Sequence, residues 1–180
     1  MRWNSFARSV LFAAIAGAAW PAFALAAAPL FGMRAALSLY GVGATAVYIA
    51  GLAPGLARGL ASAFVAIAIT VAVAAVAGTP GAAALGAALA LGVARSGLIF
   101  RRRGARAIAV EILLLGGGLA LARFLSGPGV LGSALAIWGF FLVQSAFFVI
   151  GGLRSHDPAV ALDRFESARR RALALLEDEA

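Results

Sequence analysis

Residues 58–106 read RGLASAFVAIAITVAVAAVAGTPGAAALGAALALGVARSGLIFRRRGAR, and this stretch decides the fold. Two long apolar runs flank the turn signal GTPG at 78–81, and arginines bound the pair at both ends. Such runs are roughly 17–25 residues long, the length with which a helix crosses a hydrocarbon core of about 30 Å. Segment 65–76 is rich in β-branched residues, but in lipid every backbone group must be paired internally, so we predict helices.

The same pattern covers most of the chain. Between Val10 and Leu153 the sequence has only eight arginines and one acid, Glu111. The 180 residues are 63% hydrophobic and 12% charged, whereas soluble proteins average about 25% charged residues. A soluble domain of this size could not bury so much apolar surface. Composition therefore excludes the soluble class and predicts an all-α, polytopic transmembrane helix bundle in the lipid bilayer.

The arginines and turn signals divide residues 1–153 into six predicted membrane-spanning helices. Arginine also predicts their orientation, because cytoplasmic loops are enriched in basic residues. With the N-terminus inside, eight arginines fall on cytoplasmic segments and only Arg34 and Arg123 on outer turns, so both termini are predicted to be cytoplasmic. The predicted spans are 10–33, 35–53, 60–77, 82–100, 107–125 and 130–153. The cytoplasmic arginines are Arg2, Arg8, Arg58, Arg101, Arg102, Arg103, Arg106 and Arg154.

The basic residues of this chain are all arginine, and the formal net charge is +8. We interpret the absence of lysine, together with the abundance of alanine and glycine, as codon bias in a GC-rich genome, and we expect a multi-pass protein of the bacterial inner (plasma) membrane. A basic protein that binds nucleic acid would carry a basic stripe interleaved with aromatic residues. Here the arginines lie at the ends of apolar runs, so we predict no nucleic-acid partner.

The first apolar run has two interpretations. A basic start, an apolar stretch of about eleven residues and the A-x-A sites within 22–26 are typical of a secretory signal peptide. Apolarity continues to Met33, however, which makes the run long enough to span the membrane. We favour an uncleaved first helix that is kinked near Pro21. Cleavage would instead leave five helices and a mature N-terminus outside.

Residues 154–180 differ in composition from the bundle. Asp157 and Pro158 form a typical helix start, with an acidic N-cap followed by proline at the first helical position. Apolar residues recur at three- and four-residue spacing through 160–176, and Glu166 can pair with Arg170. This pattern predicts a cytoplasmic amphipathic helix. The helix could lie on the anionic leaflet, dock onto a protein partner or a second copy, or form a solvated tail.

Three polar residues are predicted to form an intramembrane cluster. Glu111 lies five residues after the arginine-rich turn at 101–106, and Arg95 six residues before it. On two antiparallel helices both side chains then lie about 8–9 Å from that turn, so they can form a salt bridge. Gln144 lies eight residues before Gly152, which places it about 12 Å from the cytoplasmic end of the sixth predicted helix.

An ionisable group inside the membrane is costly and is a functional candidate by default. Three interpretations of Arg95 and Glu111 remain open. The pair could fix helix register, Arg95 could snorkel to the interface while Glu111 is satisfied elsewhere, or both residues could line a transport or proton-relay pathway.

Glycines supply a weaker signal. Gly51, Gly55 and Gly59 have the small-xxx-small spacing of close helix packing, although Pro54 suggests a helix end there. The run 116–118 is Gly-Gly-Gly and should interrupt the fifth helix near mid-membrane. Broken helices at the midplane mark sites in some transporters, so this run is a further candidate.

No catalytic constellation occurs in the sequence. There is no cysteine, the single histidine, His156, lies outside the bundle, and no phosphate-binding loop or Ser/His/Asp arrangement is present. We therefore predict no enzyme, no cofactor and no metal site. The leading hypothesis is a non-catalytic subunit or accessory protein of a membrane complex. The alternative is a small solute or proton-coupled transporter, or a transporter subunit, that uses Glu111 and Arg95.

Overall fold

The computed structural model of this chain describes residues 5–53, 55–77, 80–99 and 105–152. These residues are almost entirely helical, which confirms the predicted all-α class. The chain divides after Ile150 into two compact units, of which the helical bundle is the first. The predicted amphipathic helix at 154–180 lies outside the described residues. The elements are α1 (Phe6–Phe31), α2 (Met33–Leu52), α3 (Leu56–Ala77), α4 (Pro80–Gly92), a π-helical segment (Val93–Ile99), α5 (Ala105–Leu125), α6 (Gly129–Ser145) and a second π-helical segment (Phe148–Gly152).

Five helical stretches of the described chain are long and apolar enough to cross a membrane. Large apolar side chains remain uncovered on their outer faces: Val76 is 90% exposed and Phe124 is 86% exposed. Side chains of this kind are stable on the outside of a helix only when lipid or a partner covers them. The architecture therefore indicates a multi-pass membrane protein. The five stretches are Phe6–Phe31, Met33–Leu52, Leu56–Val76, Ile108–Leu125 and Gly129–Ile150.

The fourth predicted span, 82–100, differs from the structure. The α-helix ends at Gly92 and the chain continues as the π-helical segment Val93–Ile99, so this part of the chain is not one continuous α-helix. The apolar stretch Gly81–Ser96 is shorter than the other five. The π-helical segment contains Arg95, which is fully buried in the bundle. Single π-helical turns within α-helices are frequent at functional sites.

The first helix is an integral part of the bundle. Its N-cap is Ser5, whose side chain accepts a hydrogen bond from the Arg8 backbone N–H, and the helix continues through Pro21 to Phe31 as a single α-helix. The Trp20 indole is fully buried, and its Nε1 donates to the Val130 carbonyl at 3.1 Å. Because α1 packs on both α2 and α6, removing it would open the core.

The six helices form a closed ring. Each α-helix packs against the next in the chain, α6 packs against α1, and α2 also contacts α4. Glycines allow the closest approaches: a Cβ at Gly17 would lie 2.8 Å from the Trp138 Cβ, and one at Gly86 would lie 2.9 Å from the Thr70 Cα. The contacts are therefore of the small-residue type that packs helices together in lipid.

The glycines at 51, 55 and 59 do not form one helix face. Helix α2 ends at Leu52 and α3 begins at Leu56, so Gly55 lies in the connection between them. Gly59 makes a close contact instead, because a Cβ there would lie 2.6 Å from the Ala50 carbonyl oxygen. These glycines consequently tighten a turn between two antiparallel helices.

The main apolar core has members on all six α-helices. Its aromatic members lie on α1, α2 and α6 and in the residues that follow α6. Three of its rings are in mutual contact: Phe12 lies 5.0 Å from both Tyr48 and Phe141, and Tyr48 lies 5.5 Å from Phe141. Tilted and edge-on pairs at these centroid distances are favourable. The core therefore provides a rigid apolar wall beside the polar cluster described next.

Candidate functional site

Arg95 and Glu111 form an ion pair inside the bundle. Arg95 is fully buried and Glu111 is 8% exposed. The Arg95 Nε donates to Glu111 Oε1 at 3.0 Å, and its Nη2 donates to Glu111 Oε2. A guanidinium and a carboxylate that meet through two parallel hydrogen bonds make the strongest kind of protein ion pair. The pair joins the π-helical segment Val93–Ile99 to α5.

The rest of the Arg95 guanidinium is bound by α6 and by the residues just after it. Its Nη1 lies 3.5 Å from the Gln144 backbone carbonyl, to which it donates. The guanidinium carbon lies 4.2 Å from the centroid of the Phe147 ring, within the range of a cation–π contact. Arg95 is therefore held by three parts of the chain and does not reach towards an interface, which is the geometry of a paired arginine and not of a snorkelling one.

Glu111 has a second partner that sequence reasoning missed. The Ser96 hydroxyl donates to Glu111 Oε1, so the carboxylate accepts hydrogen bonds from two consecutive residues of the π-helical segment. Gly92 lies one turn earlier, and a Cβ there would lie 3.9 Å from Glu111 Oε2. The only signal for Ser96 in the sequence is its position next to Arg95, because its orientation depends on the π-helical winding.

Gln144 lies in the cluster, but its side chain does not bind the ion pair. The fully buried amide donates from Nε2 to the Leu114 carbonyl at 2.9 Å, while Oε1 has no hydrogen-bond partner among the described residues. The carbonyl of Leu114 requires a donor, which fixes the orientation of the amide. The structure thus brings all three predicted residues together, with the Gln144 backbone contacting Arg95 and its side chain contacting α5.

A second buried polar pair lies on α1 and α2. The Tyr48 hydroxyl donates to the Ser9 Oγ at 3.2 Å, and both residues are completely buried. The sequence does not predict this contact, because the two residues are far apart in the chain and neither is polar enough to stand out. Buried polar side chains are thus present on α1, α2, α5, α6 and the π-helical segment Val93–Ile99.

The triple glycine does not break the fifth helix, contrary to the prediction. Helix α5 is continuous from Ala105 to Leu125. A Cβ at Gly116 would meet nothing within 4 Å, whereas one at Gly118 would lie 2.7 Å from the Gln144 Nε2 and 3.1 Å from a Phe140 ring carbon. Flanking leucines and alanines are good helix formers and keep the segment helical. Gly118 has no side chain and therefore leaves room for Phe140 and Gln144 of α6.

A separate apolar cavity of about 240 Å³ lies between α2, α4, α5 and α6. Arg34 and Ser126 line one end of it and are exposed, while Thr45 and Phe141 line the other end and are buried. None of Arg95, Glu111 and Gln144 lines this cavity. The ion pair and the cavity are consequently two distinct features of the bundle.

Comparison with known proteins adds no relative. No family model, curated protein or solved structure matches this chain. Among the described residues, no group of three or more His, Cys, Asp or Glu side chains lies together. A function must therefore be inferred from the ion pair, the cavity and the exposed apolar faces of the helices.

Proposed function

We propose that this chain is a non-catalytic subunit or accessory protein of a membrane complex. The observation that carries the proposal is the complete use of Arg95 and Glu111 in internal contacts. The Nε, Nη1 and Nη2 of Arg95 all donate hydrogen bonds within the bundle, and both carboxylate oxygens of Glu111 accept them. An ion pair held in this way links the helices that carry it. Separating them would leave each charge unpaired in an apolar surrounding, which is far more costly than the paired state.

The proposed topology has six passes with both termini in the cytoplasm of a bacterium. It requires that α4 and the following π-helical segment cross the inner membrane together as the fourth pass. The distribution of arginines supports this orientation, since the sequence 101–106 has four arginines and the sequence 126–129 before α6 has none. In this arrangement the segment 154–180 is cytoplasmic and free to dock onto a partner.

A purification from native membranes tests the accessory role. The tagged chain is isolated in a mild detergent, and every stoichiometric companion is identified. We expect a stable partner that is lost when residues 158–180 are deleted. Deletion of only 177–180 is the matched control, because it removes the acidic end and leaves the apolar face of the predicted helix. Recovery of the intact chain alone would contradict the proposal and would favour an autonomous protein.

A second candidate function is a small transporter in which Arg95 and Glu111 gate a pathway. The observation that favours it is the irregular winding next to the pair. Arg95 and Ser96 belong to one π-helical segment, and Phe147 directly precedes another, Phe148–Gly152. Irregular helices in membranes occur where backbone lines a functional site, and π-helical turns are frequent at such sites.

Proton flux into proteoliposomes distinguishes the two functions. A pH-sensitive dye inside the vesicles reports uptake under an imposed membrane potential. A transporter should lose the flux on Glu111→Gln and retain part of it on Glu111→Asp, which keeps the charge. Equal yield and a single peak in gel filtration establish that each variant inserts and folds. Unchanged flux in Glu111→Gln would exclude a proton pathway through this carboxyl group.

A further inference from the structure

We call the cavity between α2, α4, α5 and α6 the slot. It extends along α2 from Arg34 to Thr45, a distance of about 16 Å at a rise of about 1.5 Å per residue. Small residues create the space, among them Gly41 and Ala87. Its volume is about 240 Å³, many times the roughly 15 Å³ that a cavity needs to hold one water molecule. An extended, unbranched apolar occupant matches the length over which α2 lines the slot.

The interior of the slot offers almost nothing polar to an occupant. The Ser38 and Ser133 hydroxyls that line it donate to carbonyls of their own helices, those of Arg34 and Gly129, at 3.1 Å each. Other lining residues are mainly alanine, leucine and phenylalanine. An apolar cavity of this kind does not hold water well. Its occupant should therefore be apolar over most of its length.

The open end of the slot is positively charged. Arg34 lines it in the first turn of α2, and α4 and α6 also begin at this end. The partial positive charges of these helix N-termini add to that of the guanidinium. Arg123 lies nearby, since its Nη1 is 3.4 Å from the Oγ of Ser126, which lines the same end. Glu111 does not line the slot, nor does any acidic residue in the part of the chain that the structure describes.

We propose that this slot binds one acyl chain of an anionic phospholipid from the surrounding bilayer, with the phosphate of the headgroup at Arg34 and Arg123. The apolar interior selects the chain, and the arginines select a negative headgroup. Such a lipid would fill the space between α2 and α6 that the helices themselves leave open. This binding does not depend on the accessory role proposed above.

Native mass spectrometry tests the proposal. The protein is purified in a mild detergent with equal amounts of phosphatidylglycerol and phosphatidylcholine that carry the same chains, and retained lipid is measured by mass. We expect one retained phospholipid per chain, with phosphatidylglycerol preferred by a factor of about five, the equivalent of about 1 kcal/mol for an arginine near an anionic lipid. Arg34→Gln should reduce that preference, and Arg34→Gln combined with Arg123→Gln should abolish it. Arg58→Gln, which removes an exposed arginine outside the slot, should preserve it.

A filling variant tests the slot itself. Gly41 lines the slot and a Cβ there meets nothing within 4 Å, so Gly41→Leu should occupy the space without disturbing the helices. We expect it to reduce lipid retention at least tenfold. Gly43→Leu is the matched control, because its Cβ is equally unobstructed but the residue does not line the slot. Equal retention by the two variants would overturn the proposal, as would retention of a free fatty acid in place of the phospholipid.

Discussion

Arg95 donates from both Nε and Nη2 to the two carboxylate oxygens of Glu111, and so joins the end of the fourth helical region to the fifth helix. Both partners are buried, and the guanidinium also reaches the Gln144 carbonyl. Removal of one partner would leave the other charge without compensation in an apolar surrounding. The stability of the bundle should therefore depend on the two residues jointly.

Single and double substitutions should differ sharply. Arg95→Met and Glu111→Leu should each lower the free energy of unfolding by about 3–5 kcal/mol, because each leaves an uncompensated buried charge. The double substitution should lie much closer to the original protein, since it replaces both charges by apolar side chains. Reversible unfolding in mixed detergent micelles measures all four proteins. Additive losses in the double variant would show that the two residues do not act as a pair.

The proximity of Arg95 and Glu111 could be predicted from the sequence because it depends only on helical rise from a shared turn. The contacts of Ser96 and Phe147 could not be predicted in the same way. They depend on the π-helical winding of Val93–Ile99 and on the rotation of α6, neither of which leaves a periodic signal in an apolar sequence. The backbone contact of Gln144 was unpredictable for the same reason.

The glycine run at 116–118 shows that composition alone does not predict whether a helix is interrupted. Three consecutive glycines predict a weak helix, but packing overrides propensity when one of them must admit another helix. From the sequence alone, Gly116 and Gly118 are equivalent. Only the position of α6 distinguishes the open glycine from the one in contact with Gln144. Long apolar spans were accordingly easier to predict than the contacts between them.

Substitution of these two glycines should have opposite effects. Gly118→Ala should destabilise the protein by about 1–3 kcal/mol, the usual cost of inserting an extra carbon into a well-packed contact. Gly116→Ala should be neutral or slightly stabilising, because its Cβ meets nothing and alanine is the better helix former by up to about 1 kcal/mol. Thermal unfolding in detergent measures both. A lower melting temperature for Gly116→Ala than for Gly118→Ala would contradict the contact with α6.

The first helix should remain in the mature protein. Its Trp20 indole is completely buried and bound to the Val130 carbonyl, so cleavage within 22–26 would remove part of the core. We expect the chain of 180 residues, when it is expressed and purified from membranes, to keep its mass of 18.1 kDa. Intact mass spectrometry makes the measurement. A mass lower by about 26 residues, as expected for removal of a signal peptide, would leave a bundle without α1.

The hydrogen bond of Trp20 provides a milder test of the same helix. Trp20→Phe keeps an aromatic ring but removes the indole N–H, and it should destabilise the protein by about 1 kcal/mol or somewhat more, since the Val130 carbonyl also loses its donor. Unfolding monitored by circular dichroism measures the change. An unaltered melting temperature would indicate that α1 contributes little to the closed ring.

Cysteine labelling should establish whether the fourth helical region crosses the membrane. The natural sequence has no cysteine, so each single-cysteine variant carries one labelling site. Ser126 is exposed between α5 and α6, and Gly55 is exposed between α2 and α3. With six passes and a cytoplasmic N-terminus, an impermeant maleimide should label Ser126→Cys in intact cells and Gly55→Cys only after the membrane is opened. Met33→Cys, at the start of α2, is the control for the outer side and should also react in intact cells.

The result for Ser126 depends directly on α4 and the π-helical segment that follows it. If Pro80–Gly92 and Val93–Ile99 together cross the bilayer, α5 begins inside and Ser126 lies outside, on the same side as Met33. If the irregular segment enters and leaves on one side, α5 begins outside and Ser126 becomes cytoplasmic. Protection of Ser126→Cys in intact cells, together with labelling of Met33→Cys, would therefore reject six passes in favour of five and would place the buried Arg95 on a re-entrant segment.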